Sequence, residues 1–325
     1  MILNNFKKKR GIFLCVFFWL GMGIFSQAHS ASLEKIISHL VMAGVYASLD
    51  ELDLATQEYK KVIKWDYNSA VLHFQLATLY IEEEKFDQAI EELKLALKYN
   101  PQGLESHYLL SLLYYLQDKK ELAKEAFKNF LETSLQTYPD NCLIYQLLGQ
   151  FYMQEGNLNK AEEIFKKNLK LSENDLTAHL MLGEVYHRQN RVKEAILEFK
   201  KAVALNPDDH ISLNALGYLY AEENINLDEA EGLIKRALEF EPDNGAYRDS
   251  LGWVYYQKGK IKEAIDELKK ATQLLEDALI YEHLAEAYFK NGQALEAKEN
   301  WLKALNLKPD NTKLKKRLEE LKLLP

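Results

Sequence analysis

A five-residue apolar word ending in tyrosine recurs along this chain at intervals of about 34 residues. It reads LGQFY at 148–152, LGEVY at 182–186, LGYLY at 216–220 and LGWVY at 251–255, with looser copies MAGVY at 42–46, LATLY at 76–80, LSLLY at 110–114 and LAEAY at 284–288. Nine residues after each closing tyrosine stands an alanine: Ala55, Ala89, Ala123, Ala161, Ala195, Ala264 and Ala297, with Ala230 ten residues on in the sixth copy. A large residue follows four later (Phe165, Phe199, Leu268, Trp301), then a second alanine (Ala96, Ala202, Ala237, Ala271, Ala304) and a proline (Pro101, Pro207, Pro242, Pro309). A chain this periodic folds as stacked copies of one unit, because a single unit has no partner for its apolar face.

The spacing within the unit predicts two antiparallel helices. Gly252 stands inside an apolar helical run, where glycine costs about 0.5–1 kcal/mol relative to alanine. That cost is offset if the small residue of the first helix meets the alanine of the second where their axes cross. Turns such as QKGK and QEGN offer glycine for a positive φ, proline stops the second helix, and PDN, PDD and KPDN supply caps for the next first helix.

This small-large-small order resembles the tetratricopeptide repeat. The resemblance implies an all-α, right-handed superhelical solenoid of about eight helix-turn-helix repeats: 36–69, 70–103, 104–141, 142–175, 176–209, 210–244, 245–277 and 278–311. Repeat three runs four residues long, about one helical turn. Repeat four has Asn168 and Glu173 where the second alanine and the proline belong, which predicts a looser second helix. Residues 312–325, with Leu314, Leu318, Leu321 and Leu324 on one stripe, predict a capping helix.

Residues 1–30 stand apart. A basic leader with Lys7, Lys8, Lys9 and Arg10 precedes the uncharged apolar run Gly11–Phe25, and Ala28 and Ser30 suit a cut before Ala31. This is the layout of a secretory signal, with an uncleaved N-terminal anchor as the alternative. Either way the body 31–311 is expected to be exported, periplasmic or at the periplasmic face of the inner membrane. Leu14 before Cys15 makes a poor lipidation site, and cleavage leaves only Cys142, expected to pack as a small apolar residue. Loss of the leader's four positive charges takes the net charge from −8 to −12, which disfavours nucleic acid as a partner.

No metal, nucleotide or nucleophile motif appears, and no cofactor or small-molecule substrate is expected. His39, His73, His107 and His179 share the fourth place of their repeats, a core-facing place that predicts packing. The second, fifth, ninth and twelfth places of the first helices face away from that core, and in the family this face lines a concave groove for partner peptides. It holds Phe74, Tyr108, Tyr115, Tyr218, Trp253, Tyr256 and Phe289, candidate anchors for an extended or helical segment. The competing reading is that a tight superhelix uses these rings for packing between repeats. The segment 214–264 resembles bacterial envelope repeat proteins, some of them adaptors for processing proteases. That implies a non-catalytic scaffold or adaptor, with an envelope protease or assembly complex as partner. A self-assembling structural factor and an unrecognised enzyme stay open.

Overall fold

In the computed structural model, which describes residues 30–320, the chain forms seventeen α-helices and no strand among the described residues. The expected signal at 1–30 and the capping residues Leu321 and Leu324 lie outside them, apart from Ser30. Two compact units part between Ile144 and Tyr145.

The first unit contains α1 (Ser30–Ser48), α2 (Leu52–Ile63), α3 (Ala70–Glu82), α4 (Phe86–Tyr99), α5 (Leu104–Leu116) and α6 (Lys120–Thr137), and α7 (Cys142–Gln154) begins in it. The second holds the rest of α7 and α8 (Leu158–Leu171), α9 (Leu176–Arg188), α10 (Val192–Leu205), α11 (His210–Glu222) and α12 (Leu227–Phe240). It continues through α13 (Gly245–Gln257), α14 (Ile261–Leu274), α15 (Ala278–Lys290), α16 (Ala294–Leu307) and α17 (Thr312–Glu320). Odd-numbered helices open a repeat and even-numbered helices close it. None of the described helices is long and apolar enough to cross a membrane.

Within each repeat the hairpin is closed by one turn. The residue four after the closing tyrosine is left-handed in all eight copies, and the N–H five residues after the tyrosine donates to its carbonyl, as from Lys85 to Tyr80 at 2.8 Å and from Lys260 to Tyr255 at 2.9 Å. This is a Schellman closure, which glycine suits best. Glycine fills it only at Gly156, Gly259 and Gly292; Asp50, Glu84, Asp118, Asn190 and Asn224 take positive φ in the others. Glu84, at φ 59°, has no short side chain to ease the strain. Glu84→Gly is therefore expected to stabilise the first unit by about 1 kcal/mol, read as a higher urea midpoint at unchanged slope. The extra residue of repeat six is absorbed by a second left-handed residue, Asn226 at φ 47°.

The tight crossing is closer than the alanine argument predicts. A Cβ built on Gly252 would stand 2.6 Å from Leu268 Cγ and 3.3 Å from the Ala264 carbonyl oxygen. At Gly149 and Gly183 the same atom would meet Phe165 and Phe199 at 2.5 Å. The glycine thus makes room for the large side chain four residues past the alanine, which lies over it, while the alanine brings the backbones together. Ala43, Ala77 and Ala285 hold the same place and are fully buried.

Asn168 corrects the expectation of a loose repeat four. It is wholly buried, and its Nδ2 donates to Asp175 Oδ2 at 3.0 Å, while Asp175 Oδ1 accepts from the Ala178 N–H and caps α9. The helix α8 keeps 14 residues, as do α10 and α12. Caps expected from the PDD and PDN sequences form at Asp209, which accepts from Ser212 N–H, and at Asn244 and Asn311. The four extra residues of repeat three lengthen α6 to 18.

Candidate partner-binding face

Three of the four fourth-place histidines pack while hydrogen-bonding a carboxylate of the second helix. His73 donates Nε2–H to the Tyr67 carbonyl at 2.7 Å and turns Nδ1 to Glu92 at 2.6 Å; His179 does the same with the Glu173 carbonyl and Glu198. His39 pairs with Glu58, and Arg248 takes the place in repeat seven, bonding Glu267 at 2.8 Å. The partner acid always stands nineteen residues on, in the second helix of the same repeat. At His107 that position is Ala126, and only the Pro101 carbonyl bond remains.

Between repeats, lysines of one second helix reach the closing tyrosine twenty residues on. Lys60 lies 5.3 Å from the Tyr80 ring, Lys166 5.7 Å from Tyr186 and Lys235 5.8 Å from Tyr255. On the same helices Glu162 bonds Lys166 and Arg191, and Glu231 bonds Lys235 and Lys258. Burial raises both carboxyls, but these cations outweigh it and bring each from 4.5 to about 2. A depressed acid stabilises the fold above its unfolded value and loses that contribution as pH falls. The second unit should therefore weaken between pH 4.5 and about 2, and Glu162→Gln should flatten that slope in urea titrations.

The first-helix face of the first unit carries three of the predicted anchors. Tyr115 is 71% exposed, Tyr108 is 39% exposed with its ring 5.6 Å from Phe130, and Phe74 is half-buried against the core.

In the second unit the face is built from a ladder that links consecutive first helices. Trp253 stacks on Tyr256 at 4.6 Å on one side and on His283 at 4.1 Å on the other. Lys290 lies 4.3 Å from the Tyr256 ring. Beneath, His283 Nδ1 bonds Asp249 Oδ1 at 2.9 Å, both residues buried. The ladder therefore runs His283, Trp253, Tyr256, Lys290 across α13 and α15. Trp253 and Tyr256 are thus half-buried, and their stacked rings join repeats seven and eight.

Two periods earlier, His187 of α9 bonds Glu222 of α11 at 2.7 Å, with Glu184 at 3.9 Å on its other nitrogen. Glu184 and Glu222 together raise its imidazole from 6.5 to about 10. Burial pushes the nearby Tyr218 hydroxyl upward, reinforced by Glu222 and Asp249. A raised histidine contributes stability below its unfolded value and loses it as pH climbs to the folded one. The second unit should lose stability from pH 6.5 towards about 10. His187→Gln should remove that part of the slope when midpoints are compared at both ends.

One period after the ladder, α17 begins where a ninth first helix would. Its Arg317 bonds Glu286 at 2.7 Å and lies 5.2 Å from the Trp301 ring, Asn311 bonds Glu282 at 2.7 Å, and Leu314 and Leu318 are buried. Burial raises the Glu286 carboxyl despite Arg317. What stays open on this face is apolar: Ile211 and Leu279 at the second place, and Phe289, whose ring meets the buried Trp301 at 5.4 Å. The sequence reading missed the Asp249–His283 pair, whose one signal is a separation of 34 residues, a single period.

Hairpins closed by the same turn, crossing over the same small residue and joined through one recurring set of inter-repeat contacts, define a helical-repeat protein. Family models of the tetratricopeptide repeat match residues 46–113, 140–208, 252–292 and 278–311, and the chain belongs to that family. A TPR repeat-containing protein of Pseudomonas aeruginosa is 36% identical over 66 residues, which is 20% of this chain and 11% of the length of that protein. A thermophilic TPR protein of Thermus thermophilus is similar at 25% identity and TM-score 0.51, over 57% of this chain and 100% of the other. A tetratricopeptide repeat protein from Parabacteroides merdae is similar at 19% identity and TM-score 0.58, over 82% and 98%.

Proposed function

We propose that this protein is a non-catalytic scaffold or adaptor of a bacterial envelope, holding a segment of a partner protein against its first-helix face. The observation that carries this reading is the set of apolar side chains left open on that face in the second unit, Ile211, Leu279 and Phe289. Large apolar groups that the fold leaves uncovered on the first-helix face fit a partner better than they fit water. Export rests on the leader, the apolar run Gly11–Phe25 and the small residues before Ala31; an envelope protease or assembly complex is the partner class that the envelope resemblance suggests.

The test is capture from envelope extract with the exported chain as bait, run beside a Leu279→Ser/Phe289→Ser variant. The reading expects a protein retained by the wild type and lost from the variant at unchanged circular dichroism. Equal retention by both contradicts it. Fractionation that finds the chain in the cytoplasm contradicts the envelope assignment.

A further inference from the structure

In repeats two to eight the seventh place of the first helix is a buried leucine, from Leu76 in the second repeat to Leu284 in the eighth. The tenth place is buried in six of these seven, at Leu79, Leu113, Val185, Leu219, Val254 and Ala287, and half-buried at Phe151 in repeat four. The first repeat breaks both rules: Met42 is 37% and Val45 43% exposed. Ala43 between them is fully buried against its own second helix, so the hairpin itself is closed. Among the described residues no repeat precedes α1 to cover these places. Ile37, at 48%, and Val41, at 40%, extend the open surface along α1.

These side chains form a ridge. Ile37, Val41 and Val45 lie four residues apart, and Leu33 and Leu49 continue the step at either end. Ridges of this spacing interdigitate with their like at about −50°. Read from either end about Val41 the order is leucine, β-branched residue, valine, β-branched residue, leucine, so a two-fold axis through Val41 sets Ile37 of one copy against Val45 of the other. Such a contact is isologous and closes on itself. A head-to-tail chain would instead need an apolar counterpart at the far end, and the surface of α17 there carries exposed Lys313, Lys315 and Lys316.

We propose that the exported chain, cut before Ala31, pairs with a second copy of itself through the α1 ridge Ile37–Val41–Val45. The proposal rests on the export reading above, since the cut removes the apolar run Gly11–Phe25 that would otherwise stand next to this face. Pairing buries the ridge; of the second-place row it takes up Ile37 alone and uses none of Ile211, Leu279 and Phe289.

The test uses protein recovered from the exported fraction, its N-terminus fixed by intact mass. Sedimentation equilibrium up to about 100 µM should give twice the chain mass, and Val41→Glu should give the single mass with unchanged melting, because a charge is not tolerated in a dry contact. In a Cys142→Ser background, Val41→Cys should form a disulfide-linked dimer under mild oxidation, while Lys61→Cys should not. A single mass for the wild type at the highest concentration overturns the proposal, as does a dimer indifferent to Val41→Glu. Sedimentation of the wild type, but not Val41→Glu, with phosphatidylglycerol vesicles in place of self-pairing overturns it in favour of a lipid surface. Retention of residues 1–30 overturns it through its premise and leaves the scaffold reading intact. A dimer that captures no envelope protein would sink the scaffold reading alone.

Discussion

Gly252→Leu is expected to unfold the seventh repeat's hairpin, at a cost of about 3 kcal/mol or more. A Cβ alone would stand 2.6 Å from Leu268 Cγ and 3.3 Å from the Ala264 carbonyl, and Leu268 is fully buried with nowhere to move. Leucine gains about 0.8 kcal/mol of helix propensity over glycine, far too little to offset three further carbons in that space. Loss of cooperative melting in the second unit checks this. The cause is isolated by Gly252→Ala/Leu268→Ala, where the new methyl enters space that Leu268 vacates: the pair should be less destabilised than its two single changes summed. A neutral Gly252→Leu would mean that the crossing lies elsewhere.

Trp253→Ala is expected to cost about 2–4 kcal/mol, with the damage concentrated at the junction of repeats seven and eight. The indole is the middle layer of the ladder from His283 to Tyr256, so its loss leaves two stacked contacts unmade and opens the buried Asp249–His283 bond to water. Native-state hydrogen exchange should quicken in α15, α16 and α17, while α9 and α10 hold their protection. Unchanged exchange in α15 would show that the stack carries no stability and would return Trp253 to the list of free anchors.

These two residues also mark where the sequence could be read and where it could not. Gly252 was legible because the demand it answers lies inside one repeat, sixteen residues from Leu268, and the pattern recurs often enough to be aligned. The stacking of Trp253 was not legible, because its partner His283 comes from the next repeat at a place the apolar period does not mark. Periodicity gives the face a side chain points to; it does not say whether the neighbouring copy has already filled that face. The fourth-place histidines follow the same rule. Their burial could be foreseen from the register, but Glu58, Glu92 and Glu198 lie on polar positions of the second helices, invisible to an apolar pattern. The turns were half legible. Glycine announces three, yet the backbone takes the same left-handed step at Glu84 and Asn190, where tertiary packing overrides local preference. Asn168 resolves in the same way, since a hydrogen bond to Asp175 replaces the alanine's close fit.

The lesson for the candidate site is a change of anchors. Of the predicted aromatics, Tyr108, Tyr115 and Phe289 remain open, Phe74 and Tyr218 are half-buried, and Trp253 and Tyr256 serve as the mortar between repeats. The apolar second-place residues Ile211 and Leu279 join the open set. A partner segment would then lie across an apolar row flanked by the fixed charges of His187, Glu222, Glu286 and Arg317, which already satisfy one another.

Photo-crosslinking in living cells tests this account most directly. A photoreactive residue placed at Leu279, on the first-helix face, should give a discrete adduct with an envelope protein, and the same residue at exposed Lys269 on α14 should give none. Adducts from Lys269 alone, or none from Leu279 and Ile211, would contradict a scaffold that holds its partner along the first helices.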